Sequence, residues 1–246
     1  MPAPDDRLVM PETRHEVIDG RVVYVPPSDI PHGSRHSKTS ALLEAYVREG
    51  YDVVADVLTR TSGRDDLAPD VSVIPLGEDP RTGGRRLEEL AFEVVSKQRL
   101  SRASKRAAAL VGRGVRRVLA IDVKRKRALE WSRDTREWRL LPSGGALRDR
   151  VLVLPLPFEA LVEAVKADDA VARALLAKHN PVIEEALAHS RARGAANALL
   201  AVLAARRLRV PPKARARILA CTDSRLIERW IRRAATATSI VDVLSG

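Results

Sequence analysis

Pro69-Asp70-Val71-Ser72-Val73-Ile74 and, further along, Leu90-Ala91-Phe92-Glu93-Val94-Val95 are two short runs rich in β-branched and apolar residues, and each carries one carboxylate. Both read as strands. Glu93 stands inside its run, and an acid in a strand that is otherwise fit for burial is costly unless a cation or a hydrogen-bond network holds it. If the two strands are neighbours, Asp70 at the start of one and Glu93 within the other converge on one point. Two hard oxygen ligands with room for water suit a magnesium ion. A plainer reading stays open beside this one: Asp after Pro serves turns, and a buried Glu can pair with one of the many arginines.

The charge is unevenly spread. The 246-residue chain has a formal net charge of +11, but residues 1–96 hold 11 Lys/Arg against 18 Asp/Glu, and residues 97–150 hold 17 against 5. Acids gathered around a candidate cation site and bases following it suit an enzyme acting on a polyphosphate chain, although an Arg-rich composition alone would give the same excess. The single cysteine, Cys221, excludes an internal disulfide and a cysteine-based zinc site. Aromatic residues make up 3% of the chain, too few for base-stacking platforms. No phosphate-cradling glycine loop and no nucleophile elbow are present. With no leader-like N-terminus and no apolar run of bilayer length, the expectation is a cytoplasmic protein without a membrane span.

The remaining elements follow from punctuation and periodicity. His15 to Val25 reads as a hairpin turning at Asp19-Gly20, and Pro26-Pro27 ends it. His36 to Arg48 has helical spacing, Val53 to Val57 suggests a strand, and Gly77 to Arg86 a polar surface loop. Ser101 to Val111 reads as a helix capped by Ser101, Arg116 to Val123 as a strand, and Arg127 to Leu141 as a hairpin over Asp134-Thr135. Strand, helix, strand implies an α/β layer with a crossover. From Pro155 onward helices dominate, so two domains are expected, 1–154 and an all-α extension over 155–246. In that extension Leu226, Ile227, Trp230 and Ile231 form an apolar face with Arg229, Arg232 and Arg233 on the rest of the helix. That face suits DNA contact, plain solvation or a subunit interface.

The order His15-Glu16-Val17-Ile18-Asp19-Gly20, Pro31-His32-Gly33 before a helix, Pro69-Asp70-Val71-Ser72-Val73, Phe92-Glu93-Val94-Val95-Ser96, then Gly114-Val115 leading into Val118-Leu119-Ala120-Ile121-Asp122, resembles the Uma-type restriction endonucleases of the PD-(D/E)XK nuclease superfamily over about residues 10–141. The resemblance implies a restriction-endonuclease-like α/β core, a mixed β-sheet flanked by helices, with Asp70 and Glu93 as ligands of Mg2+ or Mn2+. It also implies a lysine two residues after the Glu, where this chain has Val95. Lys97 and Lys105 are the candidates to replace it, and Lys105 is favoured because it sits on the next helix, beside the position where the resemblance implies a migrated lysine. Glu16 matches an acid of the first hairpin and is expected as a further ligand or water-positioning base, unless it is a surface residue of an edge strand. His32 and His36 are read as residues of the first helical turn. The expectation is therefore a metal-dependent DNA endonuclease, possible as a homodimer, with Asp70, Glu93, Lys105 and Glu16 at the site and DNA on the Arg-rich segment after Glu93. The alternative is a catalytically degenerate nuclease fold that binds nucleic acid or protein.

Overall fold

The computed structural model describes residues 15–24, 28–96 and 100–245, and the chain divides into two compact units, residues 1–178 and 179–246. The first unit begins with the expected hairpin, β1 (His15–Ile18) and β2 (Arg21–Tyr24), turned by Asp19 and Gly20, both at positive φ. Asp and Gly are the residues that tolerate the left-handed conformation of such a turn. Next comes α1 (Ile30–Tyr46), starting six residues before the expected His36. The early start comes from Asp29, whose side chain accepts the His32 N–H at 2.9 Å, with Pro31 in the first turn.

The central sheet is built from β3 (Tyr51–Ala55), β6 (Val71–Pro75), β7 (Leu90–Val95), β8 (Arg117–Asp122), β9 (Arg127–Ser132) and β10 (Glu137–Leu140), in the order β10-β9-β8-β7-β6-β3. Between β3 and β6 lie β4 (Thr59–Ser62) and β5 (Asp65–Leu67), which join β1 and β2 in a second sheet ordered β2-β1-β5-β4. Within the central sheet only β7 and β8 are parallel, and α2 (Leu100–Arg113) makes the crossover between them. Ser101 lies inside α2 rather than capping it, and α2 ends at Gly114. Gly114 has φ +124°, a conformation that L side chains rarely adopt, and an added Cβ there would also press on the Leu87 side chain at 3.2 Å.

Every residue of β7 is buried, and the pleat divides them between two layers. Leu90 and Phe92 pack with Val71, Val73, Leu119 and Ile121 against Leu42, Leu43 and Tyr46 of α1. Ala91 and Val95 face the other way, toward Ala103, Ala107, Leu110 and Val111 of α2. Glu93 belongs by alternation to the α2 side.

The first unit runs beyond residue 154. After a small ribbon of β11 (Ala146–Leu147) and β12 (Leu156–Pro157), α3 (Phe158–Val162) and α4 (Ala164–Ala177) pack on α1. Ala167, Ala170 and Ala174 of α4 form the small-residue stripe that joins the core, and Arg35 of α1 donates to the carbonyls of Leu161 and Val162 at 3.1 and 2.7 Å. The second unit consists of α5 (Pro181–Ala205), α6 (Pro212–Ala220), α7 (Ser224–Ala234) and α8 (Ile240–Leu244). They close around Ala192, Ala196, Leu199, Leu203, Ile218, Ile227, Trp230 and Val243.

A chain ending at residue 178 should therefore melt cooperatively. One ending at 154 strips Leu156, Phe158, Leu161 and Ala174 from α1 and should lose its cooperative transition by circular dichroism. Equal melting of the two would contradict the boundary at 178.

Candidate metal centre

Register puts the acids in a row. β6 pairs with β7 through Val71 and Phe92, so the next position beyond that pairing sets Asp70 opposite Glu93. β3 pairs with β6 through Ala55 and Val71, which sets Asp56 opposite Asp70. Pro69 has no N–H to continue a ladder, so the row lies where the pairing of β6 ends.

Asp70 is held from three sides. Its Oδ2 accepts the Val94 N–H at 2.5 Å, its Oδ1 lies 3.3 Å from His32 Nε2, and its carbonyl accepts from His36 Nε2 at 2.5 Å. A carbonyl oxygen only accepts, so His36 carries its proton on Nε2. His36 Nε2 is also 3.7 Å from Asp56 Oδ1. The hydrogen bond to Asp70 raises the His32 pKa against the opposing effect of burial, with the charges of Asp70, Asp29 and Asp56 adding to it. Both histidines lie on the first turns of α1 as the sequence suggests, but they face the acids. Ligand-type atoms of His36, Asp56 and Asp70 lie within 4.8 Å of one another.

Glu93 sits one layer deeper. Arg106 of α2 donates from Nε to Glu93 Oε2 at 2.9 Å, from Nη1 to Glu16 Oε1, and from Nη2 to the Ala68 carbonyl at 2.5 Å. Glu16 Oε1 also accepts the Ala68 N–H at 2.9 Å, so Glu16 is buried and not an edge-strand surface residue. Burial opposes the Arg106 charge, but the two carboxylates outweigh it and raise the pKa, so the guanidinium stays charged. Burial likewise pushes the Glu93 carboxyl up to about 7, against the pull of Arg106 and with a further push from Asp70. The plainer reading of Glu93, an acid paired with an arginine, is thus realised in part. Its other oxygen, Oε1, is buried and has no hydrogen-bond partner among the described residues. Such an atom costs about 1–3 kcal/mol or more when left bare, and a cation satisfies it. A carboxylate oxygen without a partner beside a second carboxylate fits a hard divalent ion.

Lys105 does not reach this network. It is exposed and precedes Arg106 by one residue, about 100° round the helix. Lys97 lies outside the described residues. Arg106 is the participant that sequence reasoning missed, although a signal existed. In α2 the inward positions are Ala103, Ala107, Leu110 and Val111, and Arg106 stands on the same stripe, where only a paired charge is tolerated.

The basic residues expected to meet DNA are mostly engaged elsewhere. Arg116 binds Glu89 and Asp149, both at 2.5 Å, Arg117 binds Glu130 at 2.6 Å and Asp149 at 2.8 Å, and Arg125 lies 3.2 Å from Asp122. Lys124 is exposed. A recess of about 390 Å³ lined by Leu87, Glu88, Glu89, Gly114, Arg116, Arg133 and Arg150 lies at the start of β7, away from the acidic row, and Glu89 already pairs with Arg116 and Arg150.

A family described as Uma2, putative restriction endonuclease, matches residues 4–165, a span that includes Glu16, Asp70, Glu93 and Arg106. No curated protein matches. The crystal structure of a putative nuclease from Anabaena variabilis is similar in fold, with a TM-score of 0.51, 18% identity, and coverage of 63% of this chain and 94% of that one.

Two measurements check the network. Arg106→Ala leaves two buried carboxylates uncompensated and should cost about 3–5 kcal/mol in urea unfolding, whereas Lys105→Ala should fall within about 0.5 kcal/mol of the parent chain. The Glu93 pKa is raised above its ordinary 4.5, so its stabilising contribution is complete below pH 4.5 and is lost as pH rises through about 7. Glu93→Gln should remove that decline, and a difference between variant and parent that stays constant across this window would place the titration elsewhere.

Proposed function

The chain belongs to the Uma2 family of putative restriction endonucleases, and from that membership we propose that it is a metal-dependent endonuclease hydrolysing phosphodiester bonds in DNA. The observation that carries this reading is the buried, unpartnered Glu93 Oε1 in register with Asp70. Asp70 and Glu93 would hold Mg2+ or Mn2+, with Asp56 and His36 adjacent. When bound, the cation lowers the pKa of a water and offsets charge developing on the phosphate.

The chain's own groups act around it. Val94 N–H and His32 hold the Asp70 carboxylate, His36 holds the Asp70 backbone carbonyl, and Arg106 fixes Glu93 and Glu16. Arg106 is permanently protonated, so it cannot take a proton from the attacking water. Its role is electrostatic: it offsets part of the negative charge of the carboxylates and keeps them oriented. We assign Lys105 no part in the chemistry. A cut in both strands needs two such sites, which favours a homodimer. No helix among the described residues is long and apolar enough to cross a membrane.

One observation favours a second reading. Where the superfamily pattern calls for a lysine, the cation that reaches the carboxylates is an arginine with its Nε, Nη1 and Nη2 all engaged, as expected of a degenerate nuclease fold.

Calorimetric titration with Mn2+ and plasmid cleavage with and without Mg2+ decide between the two. For a nuclease, Asp70→Asn should weaken Mn2+ binding at least tenfold and abolish cleavage while the fold persists, and Arg106→Lys should lower turnover. Unchanged Mn2+ binding in Asp70→Asn sinks the metal assignment. A parent chain that binds Mn2+ without cutting, and gains cleavage through Arg106→Lys, supports the degenerate reading.

A further inference from the structure

The two units use their arginines differently. In the first, Arg60, Arg85, Arg106, Arg116, Arg117, Arg125, Arg127, Arg139 and Arg150 all lie in ion pairs with Asp66, Glu88, Glu16, Glu93, Glu89, Asp149, Glu130 and Asp122. In the second, residues 179–246 carry 12 Lys/Arg against 5 Asp/Glu, so the surface cannot neutralise itself. Two of those bases serve the fold: Arg206 donates to the Ala234 and Ala237 carbonyls at 2.7 Å, and Arg217 lies over the Trp230 ring at 5.4 Å.

Arg225, Arg229, Arg232 and Arg233 do neither. All four are exposed on α7, at the i, i+4, i+7 and i+8 positions that share one side of a helix, opposite the buried Ile227, Trp230 and Ala234. Among the described residues none of their guanidinium groups has an ion-pair or hydrogen-bond partner, and Glu228, the one acid on α7, is not within ion-pair distance of them. Helix stability does not account for the stripe. Arg232 and Arg233 in the last turn suit the helix dipole, but Arg225 in the first turn opposes it, and like charges at i, i+3 and i, i+4 repel.

We propose that the second unit is the DNA-holding part of the chain and that Arg225, Arg229, Arg232 and Arg233 of α7 form its phosphate-contacting stripe. The choice of DNA as the polyanion rests on the nuclease reading. A duplex fits better than a single strand because Trp230, the unit's one aromatic residue, is buried, leaving nothing to stack on bases. A lipid surface fits poorly because the apolar side of α7 is already covered within the unit's core and cannot insert. Contacts of this kind bind the backbone without reading sequence.

The test measures binding of the full chain to a labelled 30-bp duplex by fluorescence anisotropy over a salt series in EDTA. The fourfold variant Arg225→Gln/Arg229→Gln/Arg232→Gln/Arg233→Gln should reduce the slope of log affinity against log salt by about 2–4, at roughly 0.9 per phosphate contact, and weaken binding more than tenfold at low salt. The fourfold Arg→Lys variant should keep the parent slope, which separates charge from misfolding. Lys124→Gln with Lys126→Gln in the first unit should shift the slope by less than one. An unchanged slope in the α7 Gln variant, no duplex binding by the parent chain, or tighter binding to phosphatidylserine vesicles than to duplex each overturns the proposal. Salt-steep, α7-dependent binding by a parent chain that never cleaves with Mg2+ upholds this inference and fails the nuclease reading. Cleavage with a slope indifferent to α7 does the reverse.

Discussion

A guanidinium buried between two buried carboxylates has to satisfy its donors, because each of the three charges is far too expensive to leave bare in the interior. Arg106 meets that demand with Glu93, Glu16 and the Ala68 carbonyl, and in doing so ties together α2, β7, β1 and the segment between β5 and Asp70. These pieces come from residues 16, 68, 93 and 106, so the network closes only when the hairpin sheet, the central sheet and the crossover helix are all in place. Position of the candidate centre and integrity of the fold are therefore one constraint. The oxygen of Glu93 that Arg106 leaves alone, buried and without a hydrogen-bond partner among the described residues, distinguishes the place from a fully satisfied ion pair.

Sheet register does the rest of the positioning. Asp56, Asp70 and Glu93 stand across three neighbouring strands just where their pairing ends, so the backbone fixes their spacing before any side chain rotates. The first turns of α1, started early by Asp29, bring His32 and His36 over Asp70. Rigid elements on both sides of an acidic row are the support that a metal centre requires, since a ligand held loosely loses affinity and orientation.

The charge map divides along the same boundary as the contacts. Many arginines of the first unit are bound to its acids and cross-link loops and strands, as Asp149 shows by holding Arg116 and Arg117 together. In the helical unit Arg225, Arg229, Arg232 and Arg233 stand exposed along one side of α7. A net charge taken over the whole chain hides this, because pairing, and not number, decides how much positive potential a surface presents.

Sequence by itself determined the hairpin at Asp19-Gly20, the two acid-bearing strands and the crossover helix, because periodicity, turn residues and apolar runs act over a few neighbouring residues; the short strands β4, β5, β11 and β12 carry too little periodicity to be read that way. The ordered motifs also determined the family. Only the tertiary structure decided that Arg106 and not Lys105 meets Glu93, that Glu16 is interior, and that α3 and α4 close the first unit. One step along a helix turns a side chain by about 100°, and whether an acid finds a base depends on strands distant in sequence. Spacing placed a cation on α2 near the acids, and packing chose which one, because the stripe that buries Ala103, Ala107 and Leu110 has no other inward position for a charge.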